Sequence, residues 1–136
     1  MRHSSFLEIN LSLLSQNMQS IHALAPKAKI LPMVKADAYG NGLVPISQHL
    51  VNECGMKTLG CASLGEALRI FDESPALETE VMVFSDTEIN HPDHRRYYSS
   101  RKITPVIHQP QDLDSFLSDS SLKDVPLVIK VNTGMN

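Results

Sequence analysis

The sequence predicts an α/β protein built on a parallel sheet. Three observations carry this. About five short apolar segments with strand character alternate with segments of helical periodicity. No Asn-Gly turn joins two strand segments directly, because Asn41-Gly42 precedes a helical pattern. The strand segments are largely apolar, as strands covered on both faces are. Alternation of this kind implies parallel strands joined by right-handed crossovers. An open doubly wound sheet and a (β/α)8 barrel both satisfy it, and composition does not separate them.

The elements follow in order. Asn10 or Ser12 caps a first helix, whose apolar positions Leu14, Met18, Ile21 and Ala25 recur at helical spacing. Pro26 ends it. Lys29–Lys35 (KILPMVK) reads as a strand, and Asp37–Gly42 (DAYGNG) as a turn. Leu43, Ile46 and Leu50 mark a second helix with Gly55 at its C-terminal cap. Thr58–Ala62 is a short strand. Ser63 and Glu66 then form a capping box, in which each satisfies a free N–H of the other. Leu64, Leu68 and Phe71 line one face of the helix that follows. Glu80–Phe84 is a strand, and His91–Ser99 a polar helix with Pro92 in its first turn. Ile103–His108 is a strand, Asp112–Leu117 a short helix, and Pro126–Asn132 a final strand.

Composition bounds the function. The 136 residues make about one domain, with 42% hydrophobic and 20% charged residues, as in ordinary globular proteins. Twelve basic against 15 acidic residues, net charge −3, provide no broad basic surface for nucleic acid. The longest uncharged apolar runs, such as Ile30–Val34 and Pro126–Ile129, are far too short to span a membrane. Two cysteines, Cys54 and Cys61, cannot staple a disulfide scaffold. No apolar core of a secretory signal opens the chain, so a cytoplasmic location is expected.

Lys35 is the first candidate for chemistry. It lies where KILPMVK ends, and parallel sheets bind ligands at the C-terminal ends of their strands. Alternation puts it on one face with Leu31 and Met33, which would partly desolvate it, although a strand-end lysine reaching solvent is the plainer reading from position alone. Desolvation favours the neutral amine, the form that condenses with an aldehyde. Lys130 is the second. It sits in an apolar run, where an amine is costly unless paired or modified; an edge-strand lysine that discourages sheet pairing is the plainer reading. The remaining signals are weak. His91 and His94 lack further metal ligands nearby, and Cys54 and Cys61 lack a second pair for zinc. His108 ends a strand, and Arg95-Arg96-Tyr97-Tyr98 reads as a solvated helix face.

The string Val34-Lys35-Ala36-Asp37-Ala38-Tyr39-Gly40-Asn41-Gly42 resembles the cofactor-lysine signature of the alanine racemases, V-K-A-(N/D)-A-Y-G-H-G, with Asn41 where histidine is common. The resemblance runs along nearly the whole chain. Asn10-Leu11 with Asn17 is similar to the family's opening helix, and Gly60–Ala67 resembles V-A-x-x-x-E-A. Ile103–His108 resembles its fourth strand. Lys130–Asn136 resembles K-x-D-T-G-M-x-R, with Asn132 in place of aspartate.

That resemblance implies a fold and a chemistry. The chain would be the N-terminal portion of a (β/α)8 TIM-type barrel, spanning 1–136, with the rest of the barrel and a β-rich domain absent. The cofactor would be pyridoxal 5′-phosphate, bonded to Lys35, with Tyr39 on its phosphate. Lys35 would then serve as base or acid on one face of the substrate carbon. Lys130 matches a lysine that is often carbamylated. The opposite base would be a tyrosine from a partner subunit, so the parent would be a homodimer. The expected activity is interconversion of L- and D-alanine for peptidoglycan. These 136 residues alone are expected to be inactive. A broad-specificity or serine racemase, a decarboxylase, a non-catalytic pyridoxal-phosphate carrier and an inert truncated domain are the competing readings.

Overall fold

A computed structural model of the chain describes residues 6–134. Asn10, not Ser12, caps the first helix, α1 (Leu11–Leu24): its side chain accepts from Leu13 N at 3.1 Å. Of the expected apolar face only Met18 is buried; Leu14 is half-buried and Ile21 is largely exposed.

The segment predicted as a first strand, Lys29–Lys35, is reduced to one parallel bridge, Met33 with Gly60. Val34 N donates to Gly60 O at 2.7 Å and Gly60 N to Pro32 O at 2.8 Å. Two causes limit it. Pro32 has no N–H to give, and the backbone changes hand directly after Val34. The helical turn α2 (Lys35–Gly40) is left-handed, with Ala36, Asp37, Ala38 and Tyr39 all at φ between +52° and +56°. Composition marked a turn here but not its hand.

The helix α3 (Leu43–Asn52) follows, capped at its end by Glu53, with Gly55 (φ +70°) two residues beyond the cap and not at it. Then come β1 (Thr58–Ser63), α4 (Leu64–Glu73), β2 (Glu80–Asp86), α5 (Pro92–Ser100), β3 (Ile103–Ile107), α6 (Pro110–Leu117), a 3-10 turn at Ser120–Leu122, and β4 (Val128–Ile129). The described strands are four, in the order β1-β2-β3-β4, all parallel, with the Met33 bridge outside β1. The final strand is shorter than its predicted span, although Lys130 N still donates to Ile107 O at 2.8 Å.

The predicted capping box is present. Ser63 accepts from Glu66 N at 3.2 Å, and Glu66 Oε2 accepts from Ser63 N at 3.3 Å. The buried stripe of α4 is Leu64, Ala67 and Ile70; Leu68 and Phe71 are half-buried. The core lies between the helices and one sheet face, around Leu59, Cys61, Val81, Val83 and Ile103. Burying such side chains stabilises by roughly 1.5–3 kcal/mol each. Tyr98 belongs to this core. Its hydroxyl donates to Thr87 O at 2.6 Å, so the Arg95–Tyr98 stretch is not a solvated face throughout. Among the described residues, no helix is long and apolar enough to cross a membrane.

Candidate active site

All strands run the same way, so Lys35, Ser63, Asp86, His108 and Lys130 lie along one edge, where the strands end. Ligands of parallel α/β folds bind at this edge.

Lys35 and Tyr39 are the first and fifth residues of α2, Lys35 directly before the left-handed stretch Ala36–Tyr39 and Tyr39 at its end. A left-handed α conformation costs an L-residue roughly 1–2 kcal/mol, and outside glycine it normally occurs singly. Four non-glycine residues in succession need external bonds. Ala38 N donates to Val34 O at 2.8 Å and Gly42 N to Asp37 O at 2.9 Å. Asn41, the departure from the signature's histidine, donates its side-chain amide to Ala38 O at 2.8 Å. Asp37 Oδ1 accepts from Leu43 N at 3.0 Å and from Arg69 Nη1 at 2.8 Å. Those contacts, Leu43 first and then Arg69, hold the Asp37 carboxyl below its ordinary value. Glu66 Oε1 accepts from Ala36 N at 2.6 Å. The buried methyl of Ala38 pins the turn to the core.

Lys35 is exposed, as a strand-end lysine reaching solvent is, and not desolvated by Leu31 and Met33. Its predicted companion Met33 is half-buried, with its sulfur against Gly60. Tyr39 is 62% exposed. An exposed amine and an exposed phenol on one turn fit a phosphorylated aldehyde, which needs an amine to condense with and a donor for its phosphate.

Lys130 shares the C-terminal edge of the sheet with Lys35. It lies at the other end of the sheet order, four strand spacings or about 19 Å along the sheet. It is exposed in this chain and follows directly on β4. Met135 and Asn136, part of its motif, lie outside the described residues. His94 pairs with Glu88, which itself has a positive φ of +51°. His91 and His108 line a separate polar cavity of about 250 Å³ with Asp86, Glu88 and Asp112.

Sequence reasoning missed the Asp37–Arg69 contact, and saw Glu66 as half of a capping box and as part of the segment resembling V-A-x-x-x-E-A. The box did place the Glu66 carboxylate at the start of α4. Nothing local signals that its second oxygen reaches a residue 30 positions earlier.

Comparison with known proteins bears on the family and the fold. The family model described as alanine racemase, N-terminal domain, matches residues 9–136. Alanine racemase 3 of Mesorhizobium japonicum is 36% identical over 110 residues, covering 80% of this chain and 27% of that protein. Alanine racemase 2 of Clostridium acetobutylicum is 30% identical over 133 residues, covering 95% and 32%. The solved alanine racemase of Acinetobacter baumannii superposes with a TM-score of 0.74 at 27% identity, covering 94% of this chain and 35% of that one. The chain thus spans about a third of the length of the relatives it matches. Its sheet and helices are the opening part of their TIM-type barrel. The signature around Lys35, the parallel topology and these matches together make the chain a member of the alanine racemase family, corresponding to its N-terminal domain.

Proposed function

We propose that this chain supplies the cofactor-bearing part of a pyridoxal-phosphate-dependent alanine racemase, interconverting L- and D-alanine. The observation that carries this reading is the presentation of Lys35 and Tyr39 by one left-handed turn at the C-terminal edge of the sheet. Lys35 Nζ would hold the cofactor. Tyr39 would donate its phenolic hydrogen to the phosphate. Pyridoxal phosphate, when bound, supplies an electron sink that makes the substrate's α-hydrogen removable. Lys35 Nζ, released when substrate amine takes its place, would give or take that proton on one face of the carbon. The opposite base and the rest of the phosphate site would come from beyond these residues, the former from a partner subunit of a homodimer. Lys130 would take up carbon dioxide and carry a carbamate. D-Alanine formed this way would serve peptidoglycan synthesis in the cytoplasm.

The test is borohydride trapping of the chain with pyridoxal 5′-phosphate, followed by peptide mass spectrometry. The expected adduct is on Lys35, and it is lost in Lys35→Ala. An adduct on other lysines alone, or none, overturns the reading. D-Alanine formation by a longer protein carrying this domain then separates a racemase from a carrier.

A further inference from the structure

The left-handed turn needs restraint from outside, and two side chains of α4 reach it. Arg69 meets Asp37, but both are about half exposed, and an exposed pair is screened by water. Glu66 is half-buried and acts on backbone. Its Oε1 accepts from Ala36 N at 2.6 Å, and its Oε2 accepts from Ala62 N at 2.8 Å and Ser63 N at 3.3 Å. One carboxylate therefore joins the end of β1 to the residue directly after Lys35. Hydrogen bonds to an ionised acceptor are the stronger kind, and this one meets the chain where its hand reverses.

We propose that Glu66 is a positioning residue for Lys35, its carboxylate tying the left-handed turn to the β1–α4 corner and fixing the direction in which the lysine leaves the sheet. This rests on the reading of Lys35 as the cofactor-bearing lysine. Glu66 does not touch the reacting atoms. It acts through the Ala36 amide.

The variant Glu66→Gln tests it. A glutamine side chain has one acceptor oxygen and a donor –NH2, so it cannot accept at both Ala36 and the Ala62–Ser63 pair. Glu66→Asp keeps the charge and the cap position but shortens the reach, and serves if the first variant folds poorly. Ser63→Ala removes the other half of the capping box and leaves the Ala36 contact alone. Two measurements are made on the chain. One is hydrogen exchange of the Ala36 amide. The other is the fraction of Lys35 trapped by borohydride with pyridoxal 5′-phosphate as probe.

In Glu66→Gln and Glu66→Asp, Ala36 exchange rises at least tenfold and Lys35 trapping falls several-fold. In Ser63→Ala both stay within twofold of wild type although the melting temperature drops. The proposal is overturned if Glu66→Gln leaves either measurement within twofold of wild type. It is also overturned if Ser63→Ala moves both as far. A wild-type chain that traps nothing at Lys35 defeats the cofactor reading instead, and the exchange measurement still decides whether Glu66 holds the turn.

Discussion

Met33 fills the space that a side chain at Gly60 would occupy. A β-carbon built at Gly60 would lie 2.4 Å from Met33 Sδ and 3.2 Å from Phe84 Cε2. The two residues form the one bridge that attaches the Lys35 segment to the sheet. Glycine is needed here for close approach, not for its backbone freedom.

Gly60→Ala therefore overpacks the bridge. Because the Met33 side chain is flexible, the loss is at the lower end of the range for overpacking, about 1–2 kcal/mol. Combining it with Met33→Ala relieves the clash. The double variant is expected to be more stable than the sum of the singles by at least about 0.5 kcal/mol, measured by urea unfolding in a double-mutant cycle.

Two buried acids make the fold sensitive to alkali. Burial pushes the Cys61 thiol from 9.0 up to about 12, and the Glu66 charge adds to this. Burial likewise pushes the Tyr98 hydroxyl above its ordinary 10.0. Both stay neutral in the folded chain at pH values where their unfolded forms ionise. Their contribution is complete below pH 9.0 and is lost upward, through about 12 for Cys61. Each group adds a slope of at most about 1.4 kcal/mol per pH unit. Unfolding at graded pH should show Cys61→Ala flattening the decline that begins near 9.0. Tyr98→Phe should cost about 1–2 kcal/mol at neutral pH, since it strands the Thr87 carbonyl, and should flatten the later part of the decline.

The two thiols differ in access. Cys54 is half-buried and lines a cavity of about 290 Å³ with Ser15, His22 and Met56. Cys61 is fully buried in β1. Thiolate is the form that reacts. Alkylation of the native chain at neutral pH is expected to label Cys54 and leave Cys61 unmodified, with the second label arriving only in denaturant. Equal labelling of both in the native state would contradict the packing described for β1.

The sequence by itself determined the alternation of helix and strand from α3 onward, the parallel sheet and the start of α4, and narrowed the start of α1 to Asn10 or Ser12. Each is local: apolar period separates strand from helix, and Asn10 and the Ser63–Glu66 box satisfy N–H groups three residues away. It also placed Lys35 at the end of a strand segment and Tyr39 in the turn that follows. Tertiary structure alone decided that this turn is left-handed, since the propensity of Ala-Asp-Ala-Tyr opposes that hand and contacts from 30 and 32 residues away sustain it. It decided that Tyr98 is core while its neighbour Arg96 is surface, because only packing of α5 on the sheet tells the two faces apart.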